Sequence, residues 1–141
     1  MRTTDRLLTQ LKMMEGLRLT AYRDAGGVLT IGYGHTKGVR EGDRISEYWA
    51  NELLAEDVAH TAVAVKELKV ARTEGQLDAL TSLAFNIGID ALKQSTLLRV
   101  IRAGGSKADI KREFKRWVYA GGKRLKGLEL RREWEAKRFF E

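Results

Sequence analysis

The chain has no cysteine, no proline and only two histidines. Without cysteine there is no disulfide, no thiolate nucleophile and no cysteine-based zinc site. Two histidines with no HExxH pairing leave no recognisable metal-ligand spacing, so no metal is expected. Without proline, sharp turns must come from Gly, Asn or Asp. No apolar run approaches the roughly 20 residues of a membrane span, so stable membrane insertion is not expected. The opening Met1-Arg2-Thr3-Thr4-Asp5-Arg6 is followed by no apolar stretch of the length a leader needs, so no signal peptide is expected. Walker and dinucleotide glycine patterns are missing too, because Gly32-Tyr33-Gly34 is too short for either.

Glycine is abundant, with 14 residues grouped at 26–27, 32–34, 104–105 and 121–122. These groups mark four expected turns or loops. The composition, 43% hydrophobic and 32% charged, is that of a globular chain, and its 141 residues suit one domain spanning 1–141 or two small lobes sharing a core. The net charge of +7 draws such a chain to polyanions: nucleic acid, anionic lipid or acidic cell-wall polymer. Charge alone does not choose among them.

Residues 4–14 have helical periodicity, with Leu7, Leu11 and Met14 on one face, Thr3 or Thr4 as cap and Gly16 as stop. Residues 17–36 change period and predict strand, turn, strand around Ala25-Gly26-Gly27, with a third short strand near 36–41. This is the only β-like region expected. A long helix is predicted from Ser46 to about Leu68. Thr73-Glu74-Gly75-Gln76 is a capping box before a helix reaching Phe85. Further helices are expected at 95–103, from Ser106 to about Tyr119, and from about Leu128 to Phe140. The class is α+β.

Three residues could carry chemistry. Glu15 closes its helix at the negative pole of the macrodipole, a place suited to a group that must hold a proton. Asp24 lies in a polar, glycine-rich turn suited to an ionised carboxylate, and Thr30 lies on the returning strand. A hairpin folded back on the preceding helix would bring them together. Two carboxyl groups across a gap are what glycoside hydrolysis requires. By themselves, two acids nine positions apart are more readily read as surface charges.

The spacing Glu15, eight residues, Asp24, five residues, Thr30 resembles the catalytic pattern of the phage-type lysozymes (endolysins) of glycoside hydrolase family 24. Its surroundings are similar as well. They include Thr30-Ile31-Gly32-Tyr33-Gly34-His35-Thr36, Ser82-Leu83-Ala84-Phe85-Asn86-Ile87-Gly88 and Ser95-Thr96-Leu97-Leu98. Trp117-Val118-Tyr119-Ala120-Gly121-Gly122 and Lys126-Gly127-Leu128 through Arg131-Arg132 complete the series. The resemblance covers essentially the whole chain. One departure is Glu133-Trp134-Glu135 after the arginine pair, where the family often has small residues.

The resemblance implies a lysozyme-like fold. A small N-terminal β-hairpin lobe (about 15–45) would be joined by a long helix (about 46–68) to a helical lobe (about 73–141), with helix 4–14 packing on the latter. It implies an N-acetylmuramidase that hydrolyses the β-1,4 bond between N-acetylmuramic acid and N-acetylglucosamine in peptidoglycan, with inversion. Glu15 would be the proton donor, with Asp24 and Thr30 holding the water. Thr36, Phe85 and Thr96 would bind substrate. His35 would pair with Asp57, and Arg131 or Arg132 would approach Glu15 as support. No cofactor is implied. The protein would be a monomer, accumulate in the host cytoplasm and reach the periplasm or wall through a holin. One rival is a lytic transglycosylase, which needs an acid but no water-holding carboxylate. Another is a basic nucleic-acid module, but Glu113, Glu129, Glu133 and Glu135 interrupt any phosphate track, so no nucleic acid is expected.

Overall fold

The computed structural model describes all 141 residues. Their order is α1 (Asp5–Glu15), β1 (Arg18–Arg23), β2 (Leu29–Gly32), α2 (Glu47–Glu67), α3 (Glu74–Ile87), α4 (Ile89–Gln94), α5 (Thr96–Arg102), α6 (Lys107–Phe114), β3 (Tyr119–Ala120), β4 (Lys123–Arg124) and α7 (Lys126–Arg138). The α+β expectation holds. No helix is long and apolar enough to cross a membrane. The chain forms two compact units: Leu8–His60, and Met1–Leu7 together with Thr61–Glu141.

The continuous unit, Leu8–His60, contains the β1–β2 antiparallel pair, in register at Tyr22↔Thr30 and Arg23↔Leu29, with an irregularity between Arg18 and Tyr22. The predicted third strand near 36–41 is not formed. Those residues make turns, and the chain instead meets β1 further on, through the Thr20↔Arg44 bridge. Ser46 caps α2 by accepting from the Trp49 N–H at 3.2 Å. Gly32 takes φ +68°, and a Cβ there would lie 3.3 Å from Ile45 Cδ1 and 3.4 Å from Ala50 Cβ. The glycine thus lets the end of β2 approach the first turn of α2.

The discontinuous unit is built around α3, in which every residue from Leu77 to Ala84 is buried. A helix buried on all sides is the centre of its unit. Around it Leu77, Leu80, Leu83, Leu92, Leu97, Leu98, Phe114 and Phe139 form one apolar cluster. Each such fully buried side chain contributes roughly 1.5–3 kcal/mol. Thr73 caps α3 as predicted, accepting from the Gln76 N–H at 3.1 Å, while Gln76 Oε1 accepts from the Arg72 N–H at 2.8 Å. Thr4 does not cap α1 through its side chain. Its hydroxyl and its N–H both donate to the buried Asp78 carboxylate, which Arg138 also engages through Nε at 3.0 Å.

Two further readings need correction here. The helix predicted from Ser106 to Tyr119 stops at Phe114, and residues 119–124 form a second hairpin with register Ala120↔Lys123. Gly121 and Gly122 both take positive φ, +59° and +77°. A two-residue turn of primed type requires that conformation, so the Gly-Gly pair is a hairpin turn and not merely a helix breaker. An additional short helix, α4, follows Gly88, whose φ of +94° ends α3.

Candidate active site

Glu15 is the last residue of α1, and Gly16 follows at φ +72°, its N–H returning to the Lys12 carbonyl at 3.2 Å. The half-buried Glu15 carboxyl meets backbone from elsewhere in the same unit. A Cβ on Gly34 would lie 3.1 Å from Oε2 and 3.4 Å from Cδ. Gly34 sits in a tight turn closed by two bonds, from the Ile31 N–H to the His35 carbonyl (2.8 Å) and from the His35 N–H to the Ile31 carbonyl (2.9 Å). Gly34 itself is at φ +80°.

Asp24 and Thr30 stand on the hairpin. Asp24 Oδ1 accepts from the N–H groups of Gly26 and Val28, both at 2.9 Å. Its backbone N–H donates to the Val28 carbonyl at 3.0 Å, and its carbonyl accepts from Gly27 at 2.9 Å. The turn therefore fixes the carboxylate through one oxygen and makes no use of Oδ2. Asp24 is exposed, whereas Thr30 is 3% exposed. The Thr30 hydroxyl donates to the Val28 carbonyl at 2.8 Å. With its proton committed there, Oγ1 is left as an acceptor.

His35 Nδ1 lies 2.8 Å from Asp57 Oδ2, and Nε2 lies 2.9 Å from the Lys37 carbonyl. Each ring nitrogen thus faces an oxygen, a carboxylate on one side and a main-chain carbonyl on the other. This clasp ties the turn at 31–35 to α2. Thr36 is exposed, and its carbonyl takes the Val39 N–H at 3.5 Å.

The remaining predicted residues belong to the discontinuous unit. Phe85 is half-buried on α3. Thr96 opens α5, where its Oγ1 accepts from Arg99 at 3.1 Å, and it lines a cavity of about 480 Å³ with Ser95, Glu113, Arg116 and Trp117. Phe85 does not line that cavity. Arg132 is fully buried and ion-paired with the equally buried Glu135, Nε to Oε1 at 2.7 Å. That contact is off the angle of a hydrogen bond, whereas Arg132 Nη2 donates to Glu135 Oε2 at 3.1 Å. Nη1 donates to Asn86 Oδ1 (3.0 Å) and to the Trp117 carbonyl (3.2 Å), and Ser82 donates to Glu135 Oε2. Burial pushes the Glu135 carboxyl up to about 7, with Arg132 and the Ser82 hydroxyl pulling the other way. Burial also lowers Arg132, against the attraction of Glu135. Arg131 is its neighbour on α7, half-buried.

Sequence reasoning assigned no role to Gly34, Val28 or Glu135. Gly34 carried a signal, the Gly-Tyr-Gly spacing, which is informative as turn chemistry and not as a phosphate loop.

Residues 12–135 match the family model for phage lysozyme. The chain is 42% identical over 149 aligned positions to an endolysin of Acyrthosiphon pisum secondary endosymbiont phage 1, covering 100% of this chain and 99% of the relative. Among solved structures it is similar to the muramidase domain of SpmX from Asticaccaulis excentricus, with TM-score 0.89, 34% identity and coverage of 99% and 98% of the two chains. It is also similar to an endolysin from Escherichia coli O157:H7 phage FAHEc1, with TM-score 0.86, 35% identity and coverage of 100% and 94%.

Proposed function

We infer the reaction from one premise: the chain belongs to the phage lysozyme family. It is an endolysin, a lysozyme-type glycoside hydrolase acting on the bacterial cell wall. We propose that it is an N-acetylmuramidase. It would cleave the β-1,4 bond from N-acetylmuramic acid to N-acetylglucosamine in peptidoglycan, with Glu15 protonating the leaving oxygen.

The observation that carries the mechanism is the pair of oriented acceptors on the hairpin. The Thr30 hydroxyl donates its hydrogen bond to the Val28 carbonyl, and Asp24 holds its turn through Oδ1, which leaves Oδ2. A water held by two acceptors points both of its O–H bonds at them. Its lone pair then faces away, toward an anomeric carbon. Asp24 takes the proton as the C–O bond forms, while Glu15 gives its own to the departing sugar. Attack by water opposite the leaving group inverts C1, which calls for carboxyl groups roughly 6.5–9.5 Å apart.

Thr36, Phe85 and Thr96 are proposed as glycan contacts, and the His35–Asp57 pair, Arg131 and Arg132 as structural support. We further propose that the enzyme works as a monomer, accumulates in the host cytoplasm and reaches the wall through a holin. Cells producing it with and without a holin would test the last point. The chemistry is tested by digesting purified peptidoglycan with wild type and Glu15→Gln, reading products by mass spectrometry and anomeric configuration by NMR. Hydrolysed products of inverted configuration from wild type and no clearance by Glu15→Gln are expected. Anhydro products would replace hydrolysis with transglycosylation, and retained activity in Glu15→Gln would remove Glu15 as the acid.

A further inference from the structure

Glu15 is the proposed acid, and a carboxyl at the end of a flexible side chain must be held in place to protonate one particular oxygen. One fixed surface beside it is Gly34. It has no side chain, its φ is +80°, and a Cβ there would stand 3.1 Å from Glu15 Oε2, 3.4 Å from Cδ and 3.9 Å from Cγ. Cγ, Cδ and one carboxyl oxygen of Glu15 therefore lie along the bare face of one residue.

That face does not yield readily. The turn containing it is closed by the two Ile31–His35 bonds, and its far side is set by Gly32 against Ile45 and Ala50. His35, the next residue, is held by Asp57 and by the Lys37 carbonyl. A methyl group added at Gly34 would meet the far end of a side chain on one side and an over-determined turn on the other. The carboxyl gives way, at little cost to folding and at direct cost to proton transfer.

We propose that Gly34 is a positioning residue for the acid. By lacking a Cβ it forms the wall that sets where the Glu15 carboxyl rests. This rests on the reading of Glu15 given above and adds a second residue to it.

A matched control exists in the same loop. Gly38 has φ +72° and nothing within 4 Å of its Cβ position. Gly38→Ala suffers the left-handed backbone strain alone, whereas Gly34→Ala suffers the strain and the intrusion. Both should melt lower by a similar amount, about 3–7 °C for a chain of this size. Only Gly34→Ala should lose turnover, about tenfold in kcat with KM within about twofold, since misplacing a reacting group by up to 1 Å costs up to about 10². Gly38→Ala should keep wild-type kcat.

A double-variant cycle separates positioning from general damage. In Glu15→Asp the carboxyl is one methylene shorter and withdraws from the wall. Adding Gly34→Ala to Glu15→Asp should then change kcat by less than twofold. Equal kcat in Gly34→Ala and Gly38→Ala would overturn the proposal, as would a full tenfold further loss in the Glu15→Asp background. If Gly34→Ala fails to fold, the cycle is repeated with Gly34→Ser at lower temperature, and misfolding of both beside a folded Gly38→Ala also overturns it. Retained activity in Glu15→Gln would sink the acid assignment itself, a different outcome from any of these.

Discussion

Replacing Arg132 by Met removes the only cation bonded to a carboxyl that is fully buried. Breaking a buried pair from one side costs about 3–5 kcal/mol, because the surviving partner is left desolvated. At about 2.1 cal/mol/K per residue, 141 residues unfold with roughly 0.3 kcal/mol/K, so the loss corresponds to about 10–17 °C in Tm. The pH dependence gives a second, independent sign. Glu135 already binds its proton more tightly than an ordinary carboxyl, releasing it at about 7 because of burial. Its contribution to stability is therefore full below the usual carboxyl range and fades as pH rises toward 7. Without Arg132 the carboxyl rises further. Below about pH 7 both proteins hold the proton when folded, and the deficit is flat. Above it only the variant still does, and the deficit grows by up to about 1.4 kcal/mol per pH unit. Urea denaturation followed by circular dichroism at pH 6 and pH 8.5 reads both effects. Arg132→Met combined with Glu135→Leu should recover much of the loss, although Asn86 and the Trp117 carbonyl still lose a donor. A single variant melting within 2–3 °C of wild type (under about 1 kcal/mol), or a deficit that shrinks with rising pH, would show the pair to be energetically idle.

Asp24→Asn should leave Tm nearly unchanged, because an amide oxygen can still accept the Gly26 and Val28 N–H groups, but should cut kcat by about 10² or more as the base is lost. A turnover close to wild type in the turbidity assay would mean that another group takes the proton. Thr30→Val keeps the shape and removes the oxygen, leaving the Val28 carbonyl without this donor. We expect a fall in kcat and about 1–3 kcal/mol lower stability, with Thr30→Ser restoring most of both. Equal rates for Val and Ser would exclude the hydroxyl from water binding.

Much of the fold was legible because its signals are local. Helices are expected to open at Ser46, Thr73 and Ser106, and all three hydroxyls cap them, since a hydroxyl three residues ahead of an N–H needs no tertiary information. The hairpin at 18–32 was legible from its change of period. The second hairpin was not. Gly121-Gly122 is compatible with both a helix break and a primed turn, and only the pairing of Tyr119 with Arg124 decides between them. At the site, the spacing of Glu15, Asp24 and Thr30 identified candidates without saying what held each one. The wall at Gly34 and the Val28 carbonyl are backbone features, and backbone contacts leave almost no trace in residue identity. Glu135 stayed hidden for another reason. A Glu in a charged helix reads as solvated until its burial is known.

Asp78 receives its hydrogen bonds from Thr4 and Arg138, which lie 74 residues before it and 60 after it. On a ribosome Thr4 and Asp78 both emerge before Arg138. The intervening Leu8–His60 segment is contiguous, so the partners for its internal contacts are all present once it leaves the exit tunnel. The helical unit is completed later, because a nascent chain short of Arg138 lacks the guanidinium that Asp78 engages. Closure of the helical unit thus waits on α7, which supplies Arg138.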